Sequence, residues 1–227
     1  MSLFDRDKFD DFILSNNCVG FFEEPIKLKS ERLCNYYVNL RNLMRTVGLK
    51  RDTARFVYQF AMDKGLRPDV FIGVPEGATP LGESVTELID YRNPYEVPAV
   101  IMRAVPKDHG NPIDRETIGR LEPGYHVVVN EDVTTTGKST AETIERISKT
   151  GAIIDSVLGC VDRLERRDDG RMVSEYFKEK YGVEYVSMTD AAVLVQKAYK
   201  MLNPPRHVAD AVEKYFREHS PVHPILR

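Results

Sequence analysis

The run Val127-Val128-Val129-Asn130-Glu131-Asp132-Val133-Thr134-Thr135-Thr136-Gly137-Lys138-Ser139-Thr140 constrains the fold more than any other part of the chain. It reads as a buried strand over 126–131, then two carboxylates, then a loop of hydroxyl residues and Gly, then a helix over 138–149. A strand feeding a helix in this way brings Glu131 and Asp132 to the strand's C-terminal edge. The loop Thr134, Thr135, Thr136, Gly137, Lys138 and Ser139 offers N–H groups and hydroxyls at a helix N-terminus, where the dipole favours an anion. Carboxylates beside an anion cradle make sense for a ligand with both hydroxyls and a phosphate. A ribose 5-phosphate is such a ligand: the acids accept from the 2′- and 3′-hydroxyls and the loop holds the phosphate.

Two other phosphate motifs are excluded. A G-x-x-x-x-G-K-[ST] loop ending at Gly137-Lys138-Ser139 needs Gly at 132, where Asp132 stands. No G-x-G-x-x-G is found either. Taken alone, the run also suits an ordinary parallel strand with a polar turn.

The flanking segments alternate. Strand patterns over 70–74, 97–102, 152–161 and 183–188 are separated by helix patterns over 80–90, 171–180 and 190–201. A helix from Thr53 to Lys64 precedes them. Such alternation predicts an α/β fold, a doubly wound parallel sheet with right-handed crossovers, and ligands at the strand C-terminal edges. The expected organisation is an N-terminal helix (5–15) and hood or flap segment over 1–50, an α/β core over 51–202, and a C-terminal helix over 203–227. That last helix, 206–218, follows the Asn203-Pro204-Pro205 break and is expected to pack on the core.

Composition narrows the function classes. With 42% apolar and 30% charged residues among 227, a soluble globular protein is expected. The net charge of −3 argues against general nucleic-acid binding, so an anionic ligand must be held by local N–H groups and cations. Cys18, Cys34 and Cys160 are scattered, and no Cys/His spacing suggests a metal site. The N-terminal residues lack an apolar h-region and no long apolar run follows, so the expected location is cytoplasmic, without a membrane partner.

Three more segments bear chemistry. Gly73-Val74-Pro75-Glu76-Gly77-Ala78-Thr79-Pro80 is a tight strand-to-helix loop that can direct several N–H groups at one anion. Met102-Arg103-Ala104-Val105-Pro106-Lys107-Asp108-His109-Gly110 opens a long polar loop of the kind that forms lids. Val161-Asp162-Arg163-Leu164-Glu165-Arg166 ends a strand with a polar pair.

Together these motifs resemble the type I phosphoribosyltransferases, which bind phosphoribosyl pyrophosphate (PRPP), and within them the orotate phosphoribosyltransferases. The 127–140 run is similar to the PRPP signature. The loop at Arg103, Lys107, Asp108, His109 and Gly110 matches an Arg-Lys-x-x-Lys-Asp-His-Gly pattern. Leu28-Lys29-Ser30-Glu31-Arg32 with Tyr36-Tyr37-Val38-Asn39-Leu40-Arg41 resembles the family's Leu-Lys-Ser-Gly-Arg and Tyr-Tyr segment. The likeness covers residue 20 to about 190 in consistent order.

The resemblance implies that Glu76, Gly77 and Ala78 grip pyrophosphate. It also implies that Lys107, His109 and Arg103 are catalytic, and that Lys29, Tyr36, Tyr37 and Arg163 line the base site. Arg163 would pair with the orotate carboxylate, which a guanidinium matches with two parallel hydrogen bonds. Mg²⁺ would arrive on ligand oxygens and water with no dedicated protein cage, and a homodimer would share its active sites. There are departures. Ala104 stands where a second Lys is usual, Glu31 replaces Gly, Leu33-Cys34 replaces Ser-Pro, and Ala78-Thr79 replaces Gly-Ile. Another acceptor base, or a non-catalytic PRPP sensor, are the alternatives.

Overall fold

The computed structural model describes residues 2–28, 30–92, 96–109 and 115–227. Helix α1 (Arg6–Ser15) starts where the Asp5 side chain accepts from Lys8 N–H. Strands β1 (Val19–Lys27) and β2 (Leu33–Val38) then pair antiparallel as a hairpin, the hood. A 3₁₀ turn (Leu40–Met44) leads into α2 (Val47–Asp63). The chain continues as β3 (Val70–Gly73), α3 (Thr79–Asp90), β4 (Ile101–Met102), β5 (Thr117–Ile118), β6 (His126–Thr134) and α4 (Lys138–Ser148). It ends with β7 (Ile153–Asp162), α5 (Val173–Tyr181), β8 (Glu184–Asp190), α6 (Ala191–Leu202) and α7 (Arg206–His219).

The central sheet has strand order β3-β6-β7-β8, and every pair in it is parallel. Side chains alternate across it. Phe71, Val128, Leu158 and Met188 enter one core with α1, α2, α3, α6, α7 and the hood. Val70, Ile72, Val127 and Val129 enter a second with Ile144 and Ile147 of α4 and Phe177 of α5. Helices therefore cover both faces, which defines a doubly wound parallel α/β sheet. The register sets Gly73 beside Asn130, Glu131 beside Gly159, and Asp162 beside Asp190, so the strand ends share one edge.

The structure departs from the sequence expectation in three places. The strand expected over 97–102 shrinks to β4, which pairs antiparallel with β5 and is not hydrogen-bonded to the parallel sheet. Pro98, without an N–H, interrupts any ladder before it. Strand β6 runs on to Thr134, pairing Val133 with Val161, so Glu131 and Asp132 lie within the strand. Helix α2 begins at Val47, six residues before the expected Thr53, because the Thr46 hydroxyl caps it by accepting from Leu49 N–H. The C-terminal helix packs on the core: Val212 and Phe216 are buried, and Phe216 stacks on Tyr36 at 5.3 Å. Among the described residues no helix is long and apolar enough to cross a membrane.

Helix α3 approaches β3 through glycine. A Cβ on Gly82 would lie 2.4 Å from the Gly73 nitrogen, a backbone atom that cannot swing aside. Gly82→Ala is expected to cost about 1–3 kcal/mol, the usual range for overpacking. Urea unfolding measures it, and an unchanged midpoint would show that α3 can slide off the sheet.

Candidate active site

The site lies at the shared C-terminal edge. Gly137, the N-cap of α4, adopts φ 67°, and a Cβ there would meet Phe177 at 2.8 Å. Only glycine closes this turn and keeps α5 packed behind it. The Thr140 hydroxyl donates to Glu131 Oε2 at 2.6 Å, which fastens the strand carboxylate to the first turn of α4. From the other side, Arg167 donates to the Thr136 carbonyl while its guanidinium lies 3.6 Å above the Tyr176 ring. The hydroxyl loop is thus pinned at both ends. Opposite it, a Cβ on Gly77 would come within 2.7 Å of Asp132 Oδ2, so the absent side chain lets the 75–78 loop close on the carboxylate.

These segments and the hood enclose a cavity of about 510 Å³. Most of the residues expected at the site meet there. Glu131, Asp132, Thr135, Thr136, Gly137, Lys138 and Ser139 form one wall, Glu76 and Gly77 a second, and Tyr37 and Arg163 a third. Three lie behind the wall instead of on it. Thr134 is buried at the end of β6, where its carbonyl accepts from Arg163 N–H. Ala78 is fully buried, and its N–H is spent on the Val74 carbonyl. Tyr36 is fully buried, with the Arg163 guanidinium 4.3 Å over its ring. Lys29 lies outside the described residues.

Arg103, Lys107 and His109 do not line the cavity of their own chain. Lys107 and His109 are exposed, and His109 Nδ1 is 2.7 Å from Asp108 Oδ1. Backbone bonds from Arg103 N to Glu116 O and from Lys107 N to Arg115 O hold the loop's two arms together.

Several site residues escaped the sequence reading. Arg41 adds a cation to the cavity, and Glu31 adds a carboxylate at the hood's turn. Glu31 has φ 67° and pairs with Lys27, so it takes the left-handed backbone for which glycine is suited, where the family pattern has Gly. Glu165 is 1% exposed, and accepts from Arg163 Nε at 2.6 Å, Arg32 Nη1 at 2.9 Å and Tyr215 Oη at 2.8 Å. Its position two residues after Arg163 was the only local signal; Arg32 and Tyr215 gave none. Among the described residues the cavity's cations are Arg41, Lys138 and Arg163, facing Glu31, Glu76, Glu131, Asp132, Glu142 and Asp168. No group of three or more His, Cys, Asp or Glu among the described residues is gathered for a metal ion.

Residues 41–191 match the model of the phosphoribosyl transferase domain. An orotate phosphoribosyltransferase of Bradyrhizobium diazoefficiens is 34% identical over 66% of this chain and 80% of its own length. One from Methanocaldococcus jannaschii is 29% identical over 70% of this chain and 84% of its own. In fold, a crystal structure of orotate phosphoribosyltransferase from Francisella tularensis superposes with a TM-score of 0.70 at 18% identity, covering 94% of this chain and 99% of that one. A doubly wound sheet with a PRPP-type loop and this domain match define a phosphoribosyltransferase, a pentosyl-transferring enzyme. Within that class the chain belongs to the orotate phosphoribosyltransferase family.

Asp162, next to Arg163, is 8% exposed, and burial pushes its pKa up to about 6, with Asp190 and Glu165 adding repulsion against the Leu164 N–H that donates to it. The unfolded value is near 3.8, so the folded state holds the proton more tightly. Its favourable contribution is therefore complete below about pH 4 and lost as pH rises through 6. Asp162→Asn keeps an oxygen for Leu164 and removes the charge. It should be on the order of 2 kcal/mol more stable than wild type at pH 8 and gain little at pH 4. Denaturant melts at the two pH values check this; an equal difference at both would refute the shifted carboxyl.

Proposed function

We propose that this protein transfers ribose 5-phosphate from PRPP to N1 of orotate, giving orotidine 5′-phosphate and pyrophosphate, a step of pyrimidine nucleotide synthesis. The observation that carries the reading is the meeting of the hydroxyl loop, Asp132 and Arg163 around one cavity. The N–H groups of Thr135 to Ser139 at the start of α4 suit the 5-phosphate. Asp132, with Glu131 behind it, accepts from the ribose hydroxyls, and the Glu76-Gly77 backbone faces the pyrophosphate. Arg163 with Tyr37 receives the base.

Positive charge develops on the ribosyl ring and negative charge on pyrophosphate as their bond loosens. Catalysis is then positioning and electrostatics, with no covalent nucleophile required. The cavity is rich in carboxylates while its substrate is strongly anionic, so further positive charge has to enter with the substrate or from another chain. Both routes fit the residues present. Mg²⁺ prefers oxygen ligands and keeps several waters, and Asp132 is a cavity carboxylate open to it beside the substrate's own oxygens. When bound, the ion neutralises charge on the departing pyrophosphate. Arg103, Lys107 and His109 do not line their own cavity, and Lys107 and His109 are exposed, which suits delivery to the site of a neighbouring subunit in a two-fold dimer. Three free cysteines are consistent with the cytoplasm as its place of work.

The direct test follows orotate consumption with PRPP and Mg²⁺, with uracil and hypoxanthine run alongside. Orotate should be strongly preferred, and Arg163→Ala should raise the orotate KM at least tenfold, roughly the loss of a hydrogen bond to a charged group, with little change in PRPP binding. Equal use of uracil would overturn the acceptor, and the Glu31 carboxylate would then favour an uncharged base.

The shared-site reading has its own test. At orotate well below the raised KM, Lys107→Ala and Arg163→Ala homodimers should each be nearly inactive. Mixed and allowed to exchange subunits, they should recover roughly a quarter of wild-type activity, since half of the dimers are hybrids with one intact site. No recovery despite demonstrated exchange would mean that the arm serves its own chain.

A further inference from the structure

Helix α7 lies beyond the matched domain, residues 41–191, yet one of its side chains reaches the back of the acceptor wall. Tyr215 Oη donates to Glu165 Oε1 at 2.8 Å, and the same oxygen accepts from Arg163 Nε at 2.6 Å. The second oxygen, Oε2, accepts from Arg32 Nη1 of the hood at 2.9 Å. Arg163 Nη2 points at Cys34 Sγ, 3.4 Å away. The guanidinium lies 4.3 Å over the Tyr36 ring and 5.7 Å from the Tyr215 ring. Arg163, Glu165, Tyr36 and Tyr215 are all 5% exposed or less, so water does not compete for these bonds.

A carboxylate bonded to one guanidinium alone can still rotate about its own side chain. Here Arg32 holds one oxygen and Tyr215 the other, which fixes the plane of the carboxylate. The fixed carboxylate fixes the Nε–H of Arg163. Because the guanidinium is planar, its remaining N–H directions are then set as well. Two parallel hydrogen bonds to an acceptor carboxylate tolerate little rotation, so the orientation of Arg163 bears on affinity for that group in particular.

We infer that Tyr215 is a positioning residue for Arg163, acting through Glu165, and that α7 is thereby part of the acceptor site. The inference rests on the proposed pairing of Arg163 with the orotate carboxylate. It separates a role in recognition from the packing role that the ring also has through its edge contacts with Tyr36, Phe216 and His219.

The test compares two nucleotides that differ only in that carboxylate: the dissociation constants of orotidine 5′-phosphate and uridine 5′-phosphate, read by calorimetry on the full chain. Wild type should prefer orotidine 5′-phosphate. Tyr215→Phe keeps the ring and removes the hydroxyl. It should cut that preference about tenfold, leave uridine 5′-phosphate and PRPP binding within about twofold, and hold the melting temperature close to wild type. In an Arg163→Ala background the same change should remove no further preference, as expected for residues acting through one group.

An unaltered preference in folded Tyr215→Phe, or equal weakening of both nucleotides, overturns the inference while leaving the acceptor reading intact. A wild type that does not prefer orotidine 5′-phosphate overturns the acceptor reading and this inference with it. If Tyr215→Phe does not fold, Glu165→Gln takes its place. The same selective loss supports the chain of contacts, and a full preference refutes it.

Discussion

The ion pair between Arg163 and Glu165 joins three parts of the molecule that are remote in sequence. β7 ends in the pair, the hood contributes Arg32 and Cys34 to it, and α7 contributes Tyr215. Burying two charges costs several kcal/mol of desolvation per ion, and their attraction offsets this only where the remaining hydrogen-bonding capacity is satisfied. Here the carboxylate receives three donors and the guanidinium rests on aromatic faces. The gain in stability over an apolar cluster of equal volume is small on general grounds. What the arrangement supplies is a cation fixed in direction at a cavity wall, which an apolar cluster cannot offer.

The cavity as a whole presents an opposite problem. Its ligand class is anionic, while its lining carries Glu31, Glu76, Glu131, Asp132, Glu142 and Asp168 against Arg41, Lys138 and Arg163. Attraction therefore depends on where each charge sits. Glu131 is drawn toward α4 by Thr140, while the Asp132 carboxylate fronts Gly77 on the cavity side. The N–H dipoles at the start of α4 carry no net charge, so an anion held there would not add to this imbalance on the protein's side.

Much of this was legible in the sequence because the relevant interactions are local. The apolar runs Val70-Phe71-Ile72 and Val127-Val128-Val129 are buried on both faces, as a covered parallel sheet requires. The anion loop is a contiguous stretch whose glycine is required by a left-handed turn. Misreadings arose where tertiary contacts decided the outcome. Pairing with β7 carried β6 through Asp132 to Thr134; the β-branched Val133 and Thr134 suit a strand, but the Glu131-Asp132 pair before them reads locally as its end. The side chain at Tyr36 was read as a base contact, but the neighbouring α7 covers it with Phe216. Arg32 and Tyr215 touch Glu165 across 133 and 50 residues of chain, and a single sequence carries no period or spacing that joins them.

That contrast separates the two halves of the site. The wall suited to the donor is built from two short loops, 75–78 and 135–139, each following its own strand, and both fall inside the matched domain. The wall suited to the acceptor is assembled from the hood, the end of β7 and, one shell behind, α7. Only the β7 contribution falls within residues 41–191. A change in the hood or in α7 can reach both walls, because Arg166, whose backbone bonds Arg32 of the hood and His219 at the end of α7, adjoins the Arg167 that holds the Thr136 carbonyl. Glu31 occupies a left-handed turn that glycine suits better, and it adds a carboxylate to the cavity lining from the hood's side, outside the matched domain.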